Sequence, residues 1–300
     1  MPIAQKLSGH EKDLGGGFLV RRLLPDARQR SVGPFIFFDH FGPADELPGV
    51  NHDVRPHPHI GLATVTYLFD GAMMHRDSLG TTQLIEPGAI NWMTAGRGIV
   101  HSERKPDHLR DVAYRNHGLQ LWTALPLAHE EAEPAFSHTP ADAIPEVRVG
   151  DARVRVLVGS AFGAASPVPA LSRTLYLDIA LPSGGALELP ALEAELALYP
   201  VDGDVRVDGG DTLPQRRMAV LAPGAAVRLS ATGEVRLVVV GGDALDAPRH
   251  MWWNFVSSRK ERILQASEDW QAMRMGTVPG DDKEFIPLPP TPATPPEPKS

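Results

Sequence analysis

The chain contains no cysteine. That absence excludes disulfides, thiolate metal ligands and a cysteine nucleophile, so any metal site must be built from His, Asp, Glu or water. No run of about 18 apolar residues occurs, and no transmembrane helix is expected. The opening stretch MPIAQKLSGHEKDLGGG has neither an apolar h-region nor a small-residue cleavage site, so a cytoplasmic location is expected. A uniformly basic run is missing too: the nearest, Arg259-Lys260-Glu261-Arg262, is mixed in sign, and the formal net charge is −8. Such a balance argues against a phosphate backbone as ligand. Neither nucleic acid nor membrane is an expected partner.

What is present is rhythm. With 300 residues, 42% hydrophobic and 22% charged, the chain is long enough for two globular domains. Its 28 glycines and 29 prolines punctuate short apolar runs such as ATVTYLFDG, GLQLWTALP, RTLYLDIALPSG and EVRLVVVGGD, at the spacing of β-sandwiches and barrels. The rhythm changes near Pro140–Val147, which places a boundary at 143/144. Pro87-Gly88 and Pro223-Gly224 each separate two apolar strands, a hint of internal duplication. Helical periodicity appears only in SRKERILQASEDWQAM, where Ile263, Leu264, Trp270 and Met273 form a stripe and Ser257 or Ser258 is the expected N-cap. The end, PLPPTPATPPEPKS, is expected to be disordered.

The histidines are unevenly spread: eleven of the twelve lie between His10 and His138, and only His250 follows. Chemistry based on histidine therefore belongs to the first half. In HPHIGLATVTYL, residues 57–68, His57 and His59 open a strand rich in β-branched residues and project from one face. In WMTAGRGIVHSE, residues 92–103, His101 and Glu103 repeat the i, i+2 spacing after the strand-favouring Ile99 and Val100. Two such strands can aim three imidazoles and one carboxylate at a common centre. The set suits Fe(II), Mn(II), Ni(II), Co(II) or Cu(II), with positions left open for substrate or dioxygen.

These residues also resemble a known family. VGPFIFFDHFGP (32–43), HPHIGLATVTYL, HRDSLG (75–80), WMTAGRGIVHSE, GLQLWTALP (118–126) and SSRKERILQASEDW are similar to segments of the pirins, members of the cupin superfamily. The resemblance implies an all-β bicupin: a metal-binding barrel over residues 1–143, a second barrel without ligands over 144–256, a C-terminal helix over 257–276 and a Pro-rich tail over 287–300. It implies one metal, usually iron, on His57, His59, His101 and Glu103. The better-known pirin motif continues HPH with Arg-Gly-Phe-Glu-Thr, whereas this chain has Ile60, Gly61, Leu62, Ala63 and Thr64. Ala63 removes a carboxylate, which leaves Glu103 as the candidate base.

Two functions follow from the resemblance. The first is a quercetin 2,3-dioxygenase-like oxidoreductase that takes a small aromatic or enolic substrate and O2. The alternative is a non-catalytic, redox-sensitive iron protein that binds a protein partner, to which the changes at Ile60 and Ala63 lend weight. Among the remaining candidates, His75 and Asp77 are expected to be a hydrogen-bonded pair beside a turn, Asp39 and His40 a satisfied polar pair, Trp92 and Met93 core. Trp252 and Trp253 are expected to fasten the C-terminal helix.

Overall fold

A computed structural model describes residues 2–15, 17–50 and 52–290. It is built of strands with one α-helix among the described residues, α1 (Lys260–Gln271), as expected for an all-β chain. The chain divides into two compact units. One, the histidine-bearing unit, comprises Lys12–Val20, His40–His138 and the chain from Leu245 onward; the other, the apolar unit, comprises the chain up to Glu11, Arg21–Asp39 and Thr139–Ala244. This differs from a division into contiguous halves. The strand Ile3–Leu7 pairs with Met218–Leu221, so the amino-terminal residues complete the sheet of the second barrel. The long return connection is invisible to local patterning.

The two units repeat one strand order. In the histidine-bearing unit a four-stranded sheet runs Val54–His59, Ile99–Arg104, Met73–Asp77, Thr82–Ile85. Beside it in the chain, Leu62–Asp70 pairs with both Ile90–Thr94 and Tyr114–Ala124. In the apolar unit the four-stranded sheet runs Ala186–Leu189, Val227–Ala231, Val205–Val207, Asp211–Leu213. There Glu195–Asp202 pairs with both Met218–Leu221 and Val235–Gly242. The central strands are β-branched or aromatic and buried on both faces, as in Leu62–Asp70, where all but Asp70 are buried.

The duplication is therefore structural, but the two Pro-Gly turns are not equivalents. Pro87-Gly88 joins Thr82–Ile85 to Ile90–Thr94, the connection made in the apolar unit by the turn holding Arg216 (φ +60°). Pro223-Gly224 instead matches Gly96-Arg97: the Gly98 N–H donates to Ala95 O (2.9 Å) in one turn and the Ala225 N–H to Ala222 O (3.0 Å) in the other.

In the apolar unit the core is continuous, with Leu187, Leu189, Val205, Val207, Leu229 and Ala231 each no more than 4% exposed. Around the strands that carry His57, His59 and His101 a second cluster gathers Ile60, Val100, Phe255, Ile263, Ala266 and Trp270, with Trp252 and Trp253 packed against it. The tryptophans thus stand where α1 docks, as expected. Each large apolar side chain buried there contributes about 1.5–3 kcal/mol. The buried stripe of α1 is Ile263, Ala266, Trp270; Leu264 is 41% and Met273 44% exposed. Leu264 lies one residue, about 100°, around from the stripe, and Met273 follows the last turn.

Neither expected serine caps α1. Arg259 occupies the N-cap, because Ser258 spends its N–H and its hydroxyl on Glu130 (2.9 and 2.8 Å). Gly61 shows how closely the segment before α1 approaches the turn after Val54–His59: with φ +70°, a Cβ there would lie 1.9 Å from Val256 O. Of the expected disordered tail, Leu288 packs against the Trp270 cluster; residues 291–300 lie outside the described residues. Among the described residues no helix is long and apolar enough to cross a membrane.

Candidate metal centre

Strand register builds the site. His101 lies directly across from His57, and Ile99 across from His59, so the three histidines share one face of a two-strand ribbon. A bulge between His101 and Glu103 shifts the pairing by one residue, which sets Glu103 opposite Val54. On the other edge of the same strand, His101 faces Asp77 and Glu103 faces His75.

His57, His59 and His101 are buried, and their donor atoms all lie within 4.8 Å of one another. The Nδ1 of His57 is engaged with Arg55 O at 2.8 Å, which leaves Nε2 for the centre. His59 Nε2 and His101 Nε2 meet at 3.1 Å. Behind them, His101 Nδ1 lies 3.4 Å from His75 Nδ1, and His75 Nε2 lies 3.0 Å from Asp77 Oδ2. Asp77 is a fully buried anchor whose Oδ1 accepts the N–H groups of Leu79 and Thr81 (2.9 and 3.0 Å). The turn pair foreseen for His75 and Asp77 is present, and it extends to His101.

Two aromatic rings missed by pattern reading frame the cluster. Trp122 stands edge-on to His59 with centroids 5.2 Å apart, and Phe136 stacks on His75 at 4.3 Å. Trp122 sits in the GLQLWTALP segment, where alternation shows that it shares a face with Gln120 but not which histidine it meets.

Burial dominates the electrostatics. Desolvation lowers His57 to about 4, against the Arg55 carbonyl, which opposes the shift; the charge of His75 lowers it further. Desolvation also holds His59 and His101 well below the usual imidazole range, with neighbouring imidazoles adding to it. All three are neutral near pH 7 and present the lone pairs that a metal requires. The donors fit a divalent transition metal: nitrogen-rich, neutral, convergent and shielded from water.

Glu103 is not part of that convergent group among the described residues. Its side chain is half-buried overall, yet the carboxyl lies deep enough that desolvation raises it to about 7. Asp39 and His40 are neighbours in the strand Phe35–Glu46. Alternation sends them to opposite faces, Asp39 to a bidentate bond with Arg22 (2.8 and 2.6 Å) and His40 to His117 (Nε2 to Nε2, 2.8 Å). Trp92 and Met93 are core, 3% and 1% exposed.

Comparison with known proteins agrees with this architecture. The family profile "Pirin" matches residues 17–123, and "Pirin C-terminal cupin domain" matches residues 176–276. A pirin-like protein of Caulobacter vibrioides is 48% identical over 281 residues, covering 93% of this chain and 96% of its own length. Human pirin is 33% identical, with 91% of this chain and 93% of its own covered. A crystal structure described as quercetin 2,3-dioxygenase from Acinetobacter baumannii superimposes with a TM-score of 0.89 at 33% identity, covering 96% of this chain and 95% of that one.

Proposed function

The chain belongs to the pirin family, and from that premise we propose that its histidine-bearing barrel is a mononuclear metal-dependent dioxygenase acting on a flavonol or similar enolic substrate. One observation carries the reading: three buried, neutral imidazoles converge with donor atoms within 4.8 Å. The likeness to the Acinetobacter baumannii quercetin 2,3-dioxygenase supports the substrate class. His57, His59 and His101 would hold one divalent ion, with Fe(II) favoured and Mn, Ni, Co or Cu compatible with the same donors. Such an ion supplies a Lewis acid for a substrate hydroxyl and a redox couple toward dioxygen.

The chain's own residues divide the remaining work. The imidazoles arrive unprotonated, so no proton has to leave a histidinium before an ion binds. Trp122 holds the His59 ring from one side, which limits its rotation. Glu103, raised to about 7, is the candidate base: its carboxylate oxygen accepts the hydroxyl proton of the substrate near neutral pH. It also remains the candidate fourth ligand. A second reading, a redox-sensitive protein that binds a protein partner, is favoured by Ala63, fully buried where the better-known motif carries a carboxylate.

The test is oxygen uptake by Fe(II)-loaded protein with a panel of flavonols, beside His101→Ala. Uptake matched by flavonol loss, and absent in the variant, is the expected result. No uptake from protein verified to hold iron would favour the regulatory reading.

A further inference from the structure

We infer that the carboxy-terminal segment is a positioning clasp for the metal centre: the N–H groups of Val256 and Ile286 bracket the strand that carries His57 and His59 and fix the backbone from which those imidazoles project. The inference rests on the metal-binding part of the function proposed above.

Val54–His59 is the outer strand of its four-stranded sheet, so one row of its backbone groups has no partner within that sheet. Its pairing on the other side is interrupted. Between the pair His57–His101 and the pair Val54–Glu103, Arg55 and Pro56 stand opposite the single residue Ser102. A bulge leaves its extra residue outside the ladder, and Pro56 has no N–H to give. The interruption falls directly beside His57.

Two bonds reach this strand from outside its sheet. The Ile286 N–H donates to Pro56 O at 2.9 Å, and the Val256 N–H donates to Ile60 O at 3.2 Å, where Phe255 also bridges to Ile60. They lie on either side of His57-Pro58-His59. The Pro56 carbonyl shares a peptide group with the nitrogen of His57, so the first bond acts on the His57 backbone itself. It also steadies the adjoining Arg55 carbonyl, which holds His57 Nδ1 at 2.8 Å and so sets the ring.

The clasp is anchored in turn. Trp270, buried on α1, donates its indole N–H to Ile286 O at 3.0 Å, so a single residue links α1 to Pro56. Val278 is fully buried, and Met275 and Leu288 pack against the Trp270 cluster. On the second strand of the ribbon, Arg104 binds Asp281 with bonds of 2.8 and 2.7 Å. Arg104 follows Glu103 and therefore projects from the face opposite to His101. One segment thus ties both strands of the ribbon from behind. The apolar barrel manages differently: its equivalent outer strand, Ala186–Leu189, pairs in unbroken register, and Leu187 and Leu189 are set in the continuous core.

Two variants of the full chain separate positioning from general stability. Ile286→Pro removes the N–H that reaches Pro56 and keeps the carbonyl that Trp270 uses. Trp270→Phe keeps a ring in the cluster and removes the N–H that holds Ile286. Hydrogen–deuterium exchange on the metal-free protein reads the backbone. Co(II) titration against a competing chelator, with the Co(II) visible spectrum, reads the centre.

In Ile286→Pro, exchange is expected to quicken between Val54 and Leu62 and to stay unchanged in Val235–Gly242 of the apolar barrel. Co(II) is expected to bind about 3–10-fold more weakly, the contribution of one hydrogen bond, because the strand is less often in its binding conformation. Its spectrum should shift, and unfolding should remain cooperative. Trp270→Phe carries the same expectations and serves if the proline variant does not fold. A folded variant with a lower unfolding temperature but unchanged Co(II) affinity and spectrum overturns the clasp alone. A wild-type chain that takes up no Co(II) overturns the metal-binding reading, and the clasp's purpose with it.

Discussion

In the histidine-bearing barrel His101 pairs across the ribbon with His57, and Ile99 with His59; in the apolar barrel Leu229 pairs with Leu187, and Val227 with Leu189. On the far edge, Asp77 and His75 facing His101 and Glu103 correspond to Val207 and Val205 facing Leu229 and Ala231. Six inner positions are thus polar in one copy and apolar in the other, on the same strand order. The apolar set lies inside one continuous core. The polar set gives up that contribution, because a buried polar group left without a partner costs about 1–3 kcal/mol. In this barrel the cost is limited by the links from Asp77 to His75 and from His75 to His101. From outside, α1 and the Trp270 cluster pack against Val100 and Ile60, next in sequence to His101 and His59. One copy of the fold has a continuous apolar core, and the other a buried cluster of histidines.

The largest way to break the contrast is to make the first barrel like the second. His57→Leu with His101→Leu is expected to abolish flavonol-dependent oxygen uptake while the metal-free protein unfolds at the same temperature as wild type or higher, measured by calorimetry. Next in size, Glu103→Gln is expected to lower kcat/KM by about 10²–10⁴-fold if Glu103 is the base. The pH profile sharpens this. A base must be deprotonated, so with a carboxyl at about 7 the wild-type rate should climb as pH rises through that value, and the Gln variant should lose the climb.

The converse substitution acts on stability alone. Leu229→Ala is expected to cost about 2–5 kcal/mol by cavity formation, read by denaturant unfolding, with metal content unchanged. Smallest of all is the brace behind the ligand strand. Arg104 binds Asp281 with two bonds of 2.8 and 2.7 Å and also reaches Glu284 at 3.0 Å. Arg104→Ala is expected to cost about 1.5–3 kcal/mol, since a part-buried, charge-assisted pair is lost, and to speed proteolysis after Gln271.

The ligand strands were legible in the sequence because a strand's period of two residues turns spacing directly into a shared face. Position 57 with 59 needed no other knowledge; 101 with 103 has the same spacing, but Glu103 does not join the convergent group among the described residues. What joins these pairs was not legible. Register across the ribbon, the bulge that sets Glu103 opposite Val54, and the approach of His75 to His101 arise from long-range pairing. So do the exchange of Ile3–Leu7 into the second barrel and the diversion of Ser258 to Glu130, 128 residues away. The Pro-Gly turns suggested duplication, yet they sit at different corners of the two barrels. The equivalence lies in strand order and register, which single turns do not carry.

Native mass spectrometry counts the ions that each chain binds. After loading with Fe(II) without oxygen, the account predicts one ion per wild-type chain, none in His57→Leu with His101→Leu, and one in Leu229→Ala. An ion retained by the double leucine variant would contradict it.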